Sequence, residues 1–177
     1  MRTVKGFLKG NAERFGRISI GSGFTAYSRL LLMAVLESVP AVIRKRMFVL
    51  DAKIDDLRER LSRSIIVRVG NVVYAVRGFE DLQVLNPNFE AFMSAWFQPK
   101  KGEVFIDIGS HVGKYAISTA KAVGDEGLVI AVEPHPETFR ALQRNAELNN
   151  LKNILSFNIG AWNRSGKLKF YVGRSES

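Results

Sequence analysis

Residues 104–133 limit what this chain can fold into more than any other stretch. They read VFIDIGSHVGKYAISTAKAVGDEGLVIAVE. A short apolar run, Val104–Ile108, contains the carboxylate of Asp107 and enters a glycine turn from Gly109 to Gly113. A helical pattern follows, then Gly124 and Gly127, then a second apolar run, Leu128–Val132, closed by Glu133. Strand, glycine loop, helix, strand and terminal acid make one βαβ unit of the kind that holds a nucleoside. The unit predicts an α/β fold on a parallel sheet.

Each part of the unit has a physical task. Gly109 lets the backbone turn sharply and lets a ligand come close. Gly113 stands at the helix start, where a side chain is expected to push the helix off the strand. Asp107 lies at the carboxyl end of its strand, where open parallel sheets bind ligands. Glu133 ends the neighbouring strand 24 residues after Gly109. A carboxylate there can accept strong, charge-assisted hydrogen bonds from both hydroxyls of a ribose. The dinucleotide fingerprint has glycine where this chain has His111, so that the backbone can touch a pyrophosphate. The imidazole blocks that approach. A ligand with ribose and adenine but no phosphate fits better, and S-adenosylmethionine is the common one. A nicotinamide or flavin dinucleotide remains the alternative, and a doubly wound domain whose glycines only make turns is the bland reading.

Three segments carry a family resemblance: FIDIGSHVGKYAI, GLVIAVEPHPETFRALQRNAELNNLKNI and FNIGAWNRSGKLKFYV. The IDIG-x-x-x-G loop, the VEPHP segment and the R-N-x-x-L-N-N helix end together resemble the FkbM-type methyltransferases of the class I Rossmann-like superfamily. The similarity runs from about Ile65 to Val172. It implies S-adenosylmethionine as cofactor, with Asp107, Gly109, Ser110, His111 and Gly113 as the first cofactor loop. By the same resemblance Glu133 holds the ribose, Pro134 and His135 border the adenine, and Asn158 to Ala161, including Gly160, flank it from the other side. The implied chemistry is methyl transfer to the oxygen of a hydroxylated small molecule or sugar. It calls for in-line positioning and a general base. No base can be assigned. His111 is the sole candidate near the cofactor, and Lys114 and Tyr115 read as surface and packing residues.

The chain has 177 residues, enough for one domain plus an extension, and 46% of them are hydrophobic, enough for a packed core. It has no cysteine, which excludes a disulfide framework, a thiolate metal site and a cysteine nucleophile. That is compatible with a reducing cytoplasm. Its two histidines, His111 and His135, lie on separate loops without an HxxxH spacing or a carboxylate cluster, so no metal site is expected. Residues 1–20 are basic and glycine-spaced without an apolar centre, and no signal peptide is expected there. The net charge of +9 is uneven: residues 1–63 carry +7 and residues 64–177 carry +2. A basic extension of this sort can touch an anionic membrane surface weakly, or simply be a solvated helix face. Nothing in it interleaves aromatics with basic residues as a single-strand nucleic-acid platform does, and no specific nucleic acid is expected.

The chain divides into a basic helical extension, residues 1–63, and a methyltransferase domain, residues 64–177. Residues 1–23, with Gly6, Gly10, Gly16, Gly21 and Gly23, read as mostly loose. A helix is expected over Phe24–Val39, apolar all round at Leu30–Leu36 but far shorter than a membrane span. A second helix carries a single apolar seam at Ile43, Met47, Leu50, Ile54, Leu57 and Leu61, fit for packing on its own domain, for self-association or for lying on a membrane. The β-branched runs around Gly70-Asn71 read as a hairpin, and Pro87–Phe97 as a helix. After Glu133 come a helix over Pro136–Asn149 using Phe139, Leu142, Ala146 and Leu148, a third strand at Ile154–Ile159 and a further strand at Lys167–Val172.

The family sheet has seven strands with strand one in the middle, and this chain supplies strands one to three. The fold expected is thus an incomplete class I methyltransferase fold, preceded by a helical extension and a β-hairpin. The adenosine-holding half is present, and the half that carries substrate contacts is not. Strand one then has an unpaired edge, which invites self-association or a chain supplying the missing half. Two functions from different classes follow: a methyltransferase in the cytoplasm, peripheral to the membrane if the extension touches lipid, or a non-catalytic cofactor-binding or assembly module.

Overall fold

The computed structural model describes residues 18–20, 28–29, 31–33, 35, 48–63, 65–169 and 171. In chain order they form β1 (Ile18–Ile20), α1 (Phe48–Ser62), β2 (Ile65–Val69), β3 (Val72–Val76), α2 (Phe79–Leu85), a 3-10 helix (Ala91–Ala95), β4 (Val104–Ile108), α3 (Lys114–Val123), β5 (Leu128–Val132), α4 (Pro136–Leu148) and β6 (Ile154–Phe157). They belong to two compact units, Met1–Gln98 and Pro99–Ser177.

In the first unit the β-branched runs pair antiparallel as expected, Ile65 opposite Val76 and Val69 opposite Val72. Period-two alternation buries Ile65, Val67, Val72, Tyr74 and Val76. Residues 18–20 are not loose: β1 pairs antiparallel with β2, Ile18 opposite Val69. The hairpin's outer edge offers unpaired N–H and C=O groups, and this segment satisfies them. The expected glycine-spaced stretch around it otherwise lies outside the described residues.

The described residues of the first helix, apolar all round in sequence, are helical, and burial among them falls on one residue. Met33 is fully buried, while Leu31, Leu32 and Val35 are about half exposed. Of the second seam, Ile54 is buried and Leu57 is at the exposed margin; Ile43, Met47 and the side chain of Leu50 lie outside the described residues. α1 packs within its own unit. Its Glu59 Oε2 accepts the Phe79 N–H at 3.0 Å, at the start of α2. Two segments depart from the sequence reading. α2 was not anticipated; its Asp81, Leu82 and Leu85 are buried, with Asp81 held bidentately by Arg77. The helix expected over Pro87–Phe97 is reduced to a series of turns and a 3-10 helix, because Glu90 adopts a left-handed φ of 58° where an α-helix would need −60°.

The second unit is a parallel sheet in the order β4-β5-β6. The two crossovers, through α3 and α4, advance in one direction. Right-handedness therefore puts both helices on the same face. Val129 and Ala131 point into that face and are fully buried, against Ala116, Ile117, Ala120 and Val123 of α3 and Ala141 and Leu142 of α4. The buried stripe of α4 is Thr138, Ala141, Leu142 and Asn145. Leu148, expected to supply an apolar contact, is 39% exposed: it is the last residue of α4, although the helical period places it near the buried stripe. The other sheet face is bare: Val104, Ile106 and Ile108 are 65%, 58% and 65% exposed, and Leu155 and Phe157 share that face. The third strand ends at Phe157, and Lys167–Lys169 form no strand, since no neighbouring strand among the described residues offers them a ladder. Phe170 and Val172 of that expected strand lie outside the described residues. No helix among the described residues is long and apolar enough to cross a membrane.

Candidate functional site

The carboxyl ends of β4 and β5 bring two acidic side chains and the glycine loop together. Parallel register sets Ile108 beside Val132, so the chain leaves both strands at the same level. The loop turns back at once: the N–H groups of Gly109 and Ser110 both donate to the Val132 carbonyl, at 2.8 and 3.1 Å. Gly113 N–H then closes a turn on the Ser110 carbonyl at 2.8 Å. Ser110 is buried, and its hydroxyl donates to the Asp107 carbonyl at 2.9 Å. Its side chain therefore braces the loop from within.

Three residues of this loop have positive φ: Gly109 at 80°, His111 at 50° and Gly113 at 93°. A Cβ on Gly109 would meet nothing within 4 Å, so open space faces this backbone. A Cβ on Gly113 would lie 2.7 Å from Ile117 Cδ1 and from Leu142 Cδ1. The glycine is thus needed for packing on α3 and α4, not against the strand as the sequence suggested. His111 is in the left-handed region that a dinucleotide loop gives to glycine, and histidine is among the side chains that tolerate it.

Glu133 is the hub. It is 6% exposed, and its two oxygens are each engaged by backbone: Oε2 accepts the His111 N–H and Oε1 the His135 N–H, both at 2.9 Å. The carboxylate ties the glycine loop to the loop after β5. Each oxygen retains further acceptor capacity, because a carboxylate offers about four lone-pair sites. Asp107 is only partly covered, yet its Oδ2 is buried with no hydrogen-bond partner among the described residues. Burial pushes the Asp107 carboxyl above the ordinary carboxylate range and the charge of Glu133 adds to this, while the Ala116 amide and the Ser110 hydroxyl pull the other way.

The remaining residues of the sequence reading are here too. His135 is the N-cap of α4: its Nδ1 accepts the Thr138 N–H at 3.3 Å, with Pro136 in the first turn. Asn158 follows β6, and its amide donates to the carbonyls of Glu133 at 2.8 Å and Pro134 at 3.0 Å. That lashes the loops after β5 and β6 together. Gly160 approaches Pro134, 3.8 Å from the Pro134 Cβ to where its own Cβ would be, and Ala161 is exposed. Two asparagines carry fastenings that the sequence reading did not assign. Asn145, fully buried, donates to the Val112 carbonyl at 3.0 Å. Asn153 donates to the carbonyls of Ala120 and Gly124 that end α3. For Asn145 the available signal was an amide one turn after Leu142, on the helix stripe that also carries Ala141.

These residues fit an adenosine-bearing cofactor: an orphaned carboxylate oxygen, a backbone facing open space and a doubly anchored acid meet at one end of a parallel sheet. The sequence model of the TRM5/TYW2 methyltransferase domain matches residues 89–167. The chain is 33% identical over 69 residues to protein-L-isoaspartate O-methyltransferase 1 of Archaeoglobus fulgidus, covering 39% of this chain and 32% of that protein. It therefore spans about a third of the length of this curated relative. Among solved structures it is similar to TYW2 of M. jannaschii in complex with AdoMet (24% identity, 51% of this chain and 41% of that one, TM-score 0.43). It is also similar to Trm5b of Pyrococcus abyssi (22% identity, 52% and 27%, TM-score 0.40). The domain match and the site support the general class I S-adenosylmethionine-dependent methyltransferase family, with S-adenosylmethionine as the cofactor. The second unit is α/β, with its three strands in one parallel sheet, consistent with a partial class I methyltransferase fold.

Proposed function

We propose that this chain carries the cofactor-binding half of an FkbM-type methyltransferase acting on the oxygen of a hydroxylated small molecule or sugar. One observation carries the reading: Glu133, pinned by the amides of His111 and His135 beside the orphaned Asp107 oxygen. Its oxygens receive the two ribose hydroxyls. Asp107, Gly109, Ser110, His111 and Gly113 form the loop beneath the ligand, Pro134 and His135 border the adenine, and Asn158, Gly160 and Ala161 flank it opposite. The cofactor supplies a methyl group on a sulfonium leaving group, and the chain supplies orientation. The FkbM type is supported by the loop, the VEPHP segment and the R-N-x-x-L-N-N helix end, although the domain model that matches is TRM5/TYW2. The oxygen acceptor is supported by the O-methyltransferase named among its relatives.

A second reading, a non-catalytic cofactor-binding or assembly module, is favoured by the bare apolar face of β4 and β6. Fully parallel sheets are normally covered on both faces, so either reading includes self-association or another protein segment laid on this face. Calorimetric titration with S-adenosylmethionine, followed by a radiolabelled methyl-transfer assay over hydroxylated acceptors, separates the readings. Binding with transfer supports the enzyme. Binding without transfer, alone or with a complementing half in trans, supports the module. Equal or tighter binding of NAD overturns the cofactor assignment.

A further inference from the structure

We propose that Asn145 is a positioning residue for the cofactor loop. From α4 it fixes the Val112 carbonyl, and through Val112 it fixes the left-handed His111 whose N–H meets Glu133. The inference rests on the cofactor reading above and adds a residue to it.

Asn145 lies on the buried stripe of α4 and is itself 0% exposed. A primary amide in such a place is costly unless it is bonded, and a leucine would fill an apolar stripe without that cost. Its Nδ2 donates to the Val112 carbonyl at 3.0 Å. Val112 is fully buried and sits between two left-handed residues, His111 and Gly113. A segment with φ positive on both sides of one residue persists only when its surroundings over-determine it.

Three bonds do so. Gly113 N–H to Ser110 carbonyl is local to the loop. His111 N–H to Glu133 comes from the neighbouring strand. Asn145 to Val112 comes from the helix. α4 thus constrains two successive loop residues, Val112 by the amide and Gly113 by Leu142 Cδ1, which leaves no room there for a Cβ. The Asn145 backbone is held in turn by the Asn149 amide, which donates to its carbonyl at 2.7 Å. If the Val112 carbonyl swings free, the His111 N–H leaves Glu133, and the acid loses the orientation that would receive a ribose.

The test uses the full chain with Asn145→Asp, which keeps the shape but replaces the donor by an acceptor, and Asn145→Leu, which keeps the volume. Val123→Ala, a cavity at the far end of α3, is the comparison. Three quantities are measured: the S-adenosylmethionine dissociation constant by calorimetry, the melting temperature, and the hydrogen-exchange rate of the His111 amide. The expected result is a tenfold or greater weakening of binding and a tenfold or greater rise in His111 exchange in both Asn145 variants. Val123→Ala should melt earlier with both quantities unchanged. A change under threefold in a folded Asn145 variant overturns the proposal, as does an equal loss of affinity in Val123→Ala at matched melting temperature. If Asn145→Asp fails to fold, Asn145→Leu decides. If the parent chain binds no S-adenosylmethionine, the cofactor reading falls by itself. The His111 exchange rate then still decides whether Asn145 holds the loop.

Discussion

The backbone N–H of His111 points at Glu133 Oε2, 2.9 Å away, across a separation of 22 residues. The bond joins the two loops that a nucleoside ligand of this sheet must touch. It also means that the acid is structural before any ligand arrives.

Glu133→Ala should therefore act twice. It removes the acceptor for the ribose and orphans two backbone amides. Binding of S-adenosylmethionine should weaken by roughly 1.5–3 kcal/mol, the usual range for hydrogen bonds to a charged group. The melting temperature should fall as well. Calorimetry and thermal melting check this, and unchanged affinity in a folded variant would remove the ribose role.

The two loop glycines should respond differently. Gly113→Ala meets Ile117 and Leu142 at 2.7 Å. It should lose about 1–2 kcal/mol from the left-handed backbone and a further 1–3 kcal/mol or so from overpacking. Gly109→Ala meets no protein atom within 4 Å. It should incur the backbone cost alone, yet lose affinity for S-adenosylmethionine because the methyl stands in the ligand's approach. Denaturant melts paired with titrations test the contrast. Equal stability losses, or unimpaired binding by Gly109→Ala, would contradict it.

Asp107 predicts a pH dependence. Its carboxyl is raised chiefly by burial, so the folded chain holds that proton more tightly than the unfolded chain does. The stability it contributes is full below the ordinary aspartate pKa of about 4 and is lost as pH rises through the raised value. Asp107→Asn, always neutral, should melt above the parent at neutral pH, with the gap closing below about pH 4. A gap that is constant or reversed over this range would contradict the assignment. The same variant should bind S-adenosylmethionine less well.

The bare face of the second unit predicts association. Ile106 is 58% exposed on an edge strand, and exposed apolar edges promote pairing between chains. The parent should sediment as a concentration-dependent mixture, and Ile106→Lys should shift it toward monomer. A strictly monomeric parent would remove the need for a partner.

The basic extension predicts a salt-sensitive surface contact. With +7 in residues 1–63, the full chain should adsorb to anionic vesicles at low ionic strength. It should be released as the Debye length contracts from about 30 Å at 0.01 M to about 8 Å at 0.15 M. Co-sedimentation with vesicles measures it, and salt-independent adsorption would point to apolar contact instead.

The sequence by itself determined the local units. Val104–Ile108, Leu128–Val132 and Pro136–Leu148 announce themselves through apolar runs, glycine turns and a proline in the first turn, because period and punctuation are local properties. Asp107 and Glu133 were legible as strand-end acids for the same reason. Only the tertiary structure decided what those acids touch. Nothing within the loop sequence says that Glu133 is anchored by His111 and His135, that Asn145 reaches back 33 residues to Val112, or that Gly113 is a packing requirement of Leu142. Nor could local signals find β1, whose three residues are a strand only because β2 offers them an edge. Such bonds depend on which elements the fold brings side by side, and chain separation hides that from any reading of neighbours.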